Sequence, residues 1–206
     1  MIYLTNVIDR YHRGWLKPFS DNNLFFLPYL TRAERIEFNI NYEKIKIIEG
    51  NFKDYIIKVP YLIKNKRYFY SYFTDEKIEF KKNIIFLNKK NKTMILGKKI
   101  YKVEINYDFK KGDYLIDFPI RKNFLNKKYL DENKNGSRFA DSWFPLIRKD
   151  EFNTFRFLHY GIFSKGCVSF RFDANKGKDW SYIFIKLMNS RILINDNYYL
   201  AKMVVF

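Results

Sequence analysis

A chain of 206 residues, 47% hydrophobic and 20% aromatic, can form one ordinary domain or two small ones and bury a real core, which excludes a disordered polar tail. A single cysteine excludes an intrachain disulfide framework, and no apolar run approaches the roughly 20 residues that a bilayer-spanning helix needs. The formal net charge of +17 raises anionic partners first, yet the lysines are scattered along a chain equally rich in Asn, Ile, Tyr and Phe, which argues against a nucleic-acid-binding stripe.

The start, Met1 to Arg10, places Asp9 and Arg10 where the apolar stretch of a secretory signal should run, so no signal peptide is expected. Residues 1 to about 30 read as aromatic loops punctuated by Gly14, Pro18 and Pro28. Thr31 and Glu34 have the spacing of a capping box and predict a short helix that stops by Phe38. Alternation then predicts strands at Lys44–Ile48, Tyr55–Val59, Tyr68–Tyr72, Ile78–Phe80 and Asn83–Leu87. The polar run Asn88–Lys92 is the expected boundary, leaving a small β-rich region over 1–92 and a second domain over 93–206. In that domain Thr93–Leu96 and Lys99–Ile105 form a predicted hairpin about Gly97, followed by a strand at Tyr114–Phe118. Residues 121–138 are polar and lysine-rich without period, a long loop of the kind that binds or covers a site. Strands are predicted at Trp143–Ile147 and Thr154–Leu158, then a helix capped by Asp179 with Trp180, Ile183, Phe184, Leu187 and Met188 on one face. Arg191–Ile194 and Tyr199–Phe206 close the chain, so the expected class is mainly β, a β-rich α+β chain with one clear helix.

The chemistry concentrates near the lone cysteine. Cys167 follows His159 by eight residues, and a thiol becomes a useful nucleophile when a neighbouring imidazole ionises it. Ser164 and Gly166 precede it in a Ser-x-Gly-Cys run. Glycine lets backbone approach a substrate and leaves N–H groups, that of Cys167 among them, to hold an oxyanion. Spacing alone fits equally an inert buried thiol beside a satisfied imidazole. Two histidines and one cysteine without a close cluster of acids make no convincing zinc shell, and no phosphate-cradling glycine motif is present, so neither metal nor cofactor is expected. His12 lies far from this segment in sequence and reads as structural.

Four short blocks in order carry a family resemblance over roughly residues 94 to 206: Gly112-Asp-Tyr114-Leu-Ile116, Asp141-Ser-Trp143-Phe144-Pro-Leu146, Phe155-Arg156-Phe-Leu158-His159, and Ser164-Lys-Gly166-Cys167-Val168. Together they resemble the L,D-transpeptidase peptidoglycan enzymes, and most of all the L,D-transpeptidase-like effectors exported by type VI secretion systems. The chain departs from the broader family at Lys165, which stands where those enzymes carry a histidine, and from the effector pattern in having Tyr160 and one extra residue between Arg156 and His159.

The resemblance implies a β-sandwich or barrel catalytic domain and a thioester acyl-enzyme that trims or exchanges the terminal D-residue of tetrapeptide stems. It makes Cys167 the nucleophile and His159 the base, with Ser164 orienting the imidazole or donating to substrate. Trp143, Tyr160 and Tyr114 become candidate groove walls, although core packing explains each aromatic at least as well. Lys165, Arg156 and Arg171 become candidate contacts to stem carboxylates. The implied partners are peptidoglycan stem peptides, an immunity protein and a secretion-system component. The implied route is synthesis in the cytoplasm without a signal peptide, secretion, and action as an antibacterial toxin in the periplasm of a target cell. The rival reading is a non-enzymatic basic module that binds nucleic acid or an anionic wall polymer, with Cys167 incidental.

Overall fold

The computed structural model describes residues 1–8, 12–18, 25–64, 68–105, 108–122, 127, 139–148, 150, 156–161, 166–170 and 174–206. Two compact units divide the chain, Met1–Glu79 and Phe80–Phe206.

Strands of the first unit are β1 (Ile2–Leu4), β2 (Trp15–Leu16), β3 (Leu27–Pro28), β4 (Arg32–Phe38), β5 (Tyr42–Ile47), β6 (Ile56–Pro60), β7 (Leu62–Lys64), β8 (Tyr68–Tyr70) and β9 (Phe73–Thr74). Five of them form an antiparallel sheet in the order β6-β5-β4-β1-β9, while β2–β3 and β7–β8 pair separately. One face buries Ile2, Leu4, Ala33, Ile45, Ile47 and Val59, the alternate positions of their strands, as period-two patterning requires. The helix expected from Thr31 and Glu34 is instead strand β4. Thr31 donates its hydroxyl to the Pro28 carbonyl at 2.6 Å in a turn, and Ala33 is buried between partners on β1 and β5. Pairing on both edges overrides the local capping signal.

Strands of the second unit are β10 (Asn83–Asn88), β11 (Thr93–Leu96), β12 (Lys99–Lys102), β13 (Glu104–Ile105), β14 (Gly112–Ile116), β15 (Ile120–Arg121), β16 (Ser142–Ile147), β17 (Phe157–Tyr160), β18 (Val168–Phe170), β19 (Ile192–Ile194), β20 (Asn197–Tyr199) and β21 (Ala201–Val205). Ten make one sheet in the order β12-β11-β10-β21-β14-β16-β17-β18-β13, with β15 on β16. Because β12 runs through Val103 into β13, neighbouring stretches of chain occupy both ends of that order, and the sheet is nearly closed and barrel-like. The molecule is mainly β, as expected.

The unit boundary falls between Glu79 and Phe80 rather than at the polar run 88–92, because β10 pairs in parallel with β21, near the end of the chain. Residues 78–80 form no strand; Lys81 makes a single bridge to Ser190. The helix spans Ala174–Met188, so Asp179 lies inside it and is not its cap. Its apolar stripe is as expected: Trp180, Ile183, Phe184, Leu187 and Met188 are all fully buried. No helix among the described residues is long and apolar enough to cross a membrane.

Candidate catalytic site

The site lies on strands β16, β17 and β18, and its geometry follows from alternation. On one face of this sheet Phe144, Tyr160 and Phe170 meet the helix at Trp180, with ring centroids 5.8, 6.5 and 5.7 Å away. The residues between them, Trp143, His159 and Ser169, therefore emerge on the opposite face. The register sets these three directly opposite one another, with Glu104 of β13 completing the row. Phe157 and Cys167 follow on the same face, one step beyond the paired residues Leu158 and Val168.

A short return places Cys167 there. Parallel strands ordinarily need a crossover of a dozen or so residues, but residues 161–167 alone connect β17 to β18. Both flanking glycines have left-handed backbone, Gly161 at φ 121° and Gly166 at φ 78°. A Cβ on Gly166 would lie 3.4 Å from Nη1 of Arg156, so it is the left-handed backbone that disfavours a side chain just before Cys167.

His159 is fully buried and stacked on Trp143, with ring centroids 3.9 Å apart and planes 14° apart. Its Nδ1 lies 3.2 Å from the Tyr160 carbonyl. A carbonyl only accepts, so Nδ1 carries the proton and Nε2 the lone pair. Burial pushes the imidazole pKa down to about 4; the positive charge of Lys122 acts the same way, and the carbonyl contact opposes both. His159 is therefore neutral at physiological pH. Cys167 is 2% exposed, so a substrate reaches Sγ only if the cover over this face opens. Ser169 Oγ and Trp143 Nε1 are buried with no hydrogen-bond partner among the described residues. Buried polar groups of that kind are uncommon and mark places where packing has not set the sequence alone.

Of the residues expected in the site, the fold brings together Cys167, His159, Trp143 and Gly166. Arg156 flanks the cysteine turn, with its guanidinium against Gly166 and 5.3 Å from the Phe109 ring centroid. Tyr160 and Tyr114, expected as groove walls, are both fully buried. Tyr160 faces Trp180; Tyr114 stacks on Phe109 at 4.9 Å and donates its hydroxyl to the Lys110 carbonyl at 2.9 Å. Ser164, Lys165 and Arg171 lie outside the described residues.

Sequence reading missed Lys122, whose Nζ sits 3.9 Å from the Phe157 ring centroid and 5.0 Å from that of Trp143. Nothing distinguishes it by type among 39 lysines and arginines. Ser169 was recoverable, since strand alternation from Cys167 puts it on the same face. Among the described residues no three His, Cys, Asp or Glu side chains gather as metal ligands. A separate cavity of about 370 Å³ is lined by Asp113, Tyr114, Leu115, Ile147, Arg148, Asp150, Ile194 and Lys202, with ion pairs Lys202–Asp113 at 2.7 Å and Arg148–Asp150 at 2.5 Å on its walls. No known protein-family model matches the chain, and no curated protein matches it.

Proposed function

We propose that the second unit is a cysteine-dependent peptidoglycan-modifying enzyme, an L,D-carboxypeptidase or L,D-transpeptidase acting on tetrapeptide stems, and that the chain is a secreted antibacterial effector. The observation that carries this reading is the placement of Cys167 and His159 on one face of the adjacent strands β17 and β18, within the block order of the L,D-transpeptidase resemblance. In this mechanism the Cys167 thiolate attacks the carbonyl that links an L-centre to the terminal D-residue. The oxyanion rests on N–H groups at the Gly166 turn, the C–N bond breaks as the leaving amine takes a proton from water, and a thioester remains. Water gives the tripeptide; an incoming amine gives exchange or a cross-link. His159 Nε2, holding its lone pair, takes the proton of that acceptor. The +17 charge favours association with stem carboxylates, and an acidic immunity protein is the expected antagonist.

Incubating purified protein with muropeptides and following stems by mass spectrometry tests the proposal. The expected result is conversion of tetrapeptides to tripeptides or exchanged products, abolished by Cys167→Ala. Stems left unchanged at high enzyme concentration, together with retention on an anionic wall polymer or nucleic acid, would replace this reading with that of a basic binding module.

A further inference from the structure

Beside its single thiol the site holds one ammonium and one imidazole, and the two cannot play the same part. A cysteine attacks as the thiolate, which needs a positive charge near Sγ. In most cysteine–histidine pairs the imidazolium supplies it. His159 is poorly placed to do so: its ring is fully buried against Trp143 and its Nδ1–H already faces a carbonyl. Asp141 is paired with Arg121 at 2.9 Å, and Glu104 stands two strands away in the same row. The other cation near the turn, Arg156, lies against Gly166 and over Phe109.

Lys122 is placed differently. Its backbone N–H donates to the Asp141 carbonyl at 2.8 Å, which anchors the chain just beyond β15. From there the side chain crosses to the rings of Trp143 and Phe157, and Phe157 is level with Cys167 across the β17–β18 ladder. Two ring faces hold the ammonium by cation–π attraction while leaving N–H donors for a neighbouring anion. Among the described residues no carboxylate pairs with Lys122. Burial pushes its pKa down while the charge of Cys167 pushes it up.

We infer that Lys122, and not His159, is the cationic partner that holds Cys167 as a thiolate. On ionisation the S–H bond breaks heterolytically, the electron pair stays on Sγ, the proton leaves to solvent, and Lys122 keeps its own protons throughout. His159 thereby stays neutral. The inference rests on the reading of Cys167 as the nucleophile, and it divides ionisation and proton transfer between two residues.

The test needs no substrate. Since Cys167 is the only cysteine, the ultraviolet absorbance of its thiolate is isolated by subtracting a Cys167→Ser blank at each pH. Loss of an opposite charge within about 4 to 6 Å raises an acid's pKa by about 1 to 3. The Lys122→Met titration midpoint is therefore expected about one pH unit or more above wild type, with Lys122→Arg restoring most of the difference and His159→Gln moving it less. Circular dichroism identifies any variant that fails to fold; Lys122→Gln then replaces Lys122→Met. A midpoint that rises in His159→Gln and stays put in Lys122→Met would overturn the inference and restore an imidazolium–thiolate pair. A midpoint unmoved by either change overturns it too. Inert muropeptides with the Lys122 shift intact would sink the peptidoglycan reading alone.

Discussion

The two faces of the β16–β17–β18 sheet are built from different chemistry, and the face of Trp143 is the more open, since Trp143 is only partly buried and Ile147 is exposed. Toward the helix every paired position is apolar: Phe144, Leu158 and Val168 share a row, and Tyr160 and Phe170 share the next. Their rings surround Trp180, whose Nε1–H donates to the Phe139 carbonyl at 2.8 Å. The opposite face sets Trp143, His159, Ser169 and Cys167 side by side, with an ammonium above them and two polar atoms unpaired. Buried unpaired polar groups cost stability, and an apolar residue at Ser169 would avoid that cost. Packing alone thus explains the first face and not the second, which is where functional chemistry is expected to override local rules.

Truncation should separate the faces most sharply at their largest member. Trp180→Ala removes the centre of the helix-facing core and is expected to cost about 3 to 5 kcal/mol, read as a lowered denaturant midpoint. If that variant were nearly as stable as wild type, the helix face would not be the structural one.

The second test turns on pH. His159 is neutral in the folded protein with a pKa of about 4, below the 6.5 of a free imidazole. Between those values the unfolded chain binds the extra proton first, so the contribution is complete above pH 6.5 and is lost as pH falls toward 4, amounting to about 3 kcal/mol once both states are protonated. His159→Gln should lack this acid sensitivity. Asp117, whose pKa burial raises, acts in the opposite direction in both proteins and cancels in the difference. Parallel stability curves for the two proteins between pH 7 and pH 4 would mean that the imidazole titrates normally, and the polar face would lose its distinctive feature.

How far each face could be read beforehand follows from what sets it. The helix stripe was legible because period-3.6 patterning at Trp180, Ile183, Phe184, Leu187 and Met188 is local. The strand holding Trp143 was legible as alternation, whereas β18, just after Cys167, was not expected. Three features depended on partners distant in sequence. β4 was hidden by a capping box because its pairing with β1 and β5 is tertiary. The unit boundary was misplaced because β10 finds its parallel partner at β21. Lys122 was invisible because its place is fixed by Trp143 and Phe157, far along the chain, and not by its neighbours. Tyr160 faces the helix because alternation puts it opposite in sense to His159.

The smallest expected effect is the most discriminating, and it sets Ser169 against Ser190, both fully buried in the second unit. Ser190 Oγ receives a hydrogen bond from Asn83 Nδ2 and donates to the Lys186 carbonyl at 2.9 Å, so its hydroxyl joins β10 to the end of the helix. Removing it strands both partners, and Ser190→Ala is expected to lose about 1 to 2 kcal/mol. Ser169 Oγ has no such partner among the described residues. Its removal abolishes a desolvation cost and leaves nothing unpaired, so Ser169→Ala should leave stability unchanged or raise it by up to about 1 kcal/mol. Paired urea melts of the two variants decide the matter. Equal losses would mean that Ser169 is held as firmly as Ser190 and that the row beside His159 is ordinary core. A loss confined to Ser190 would mean that the hydroxyl beside His159 is kept for something other than stability of the fold.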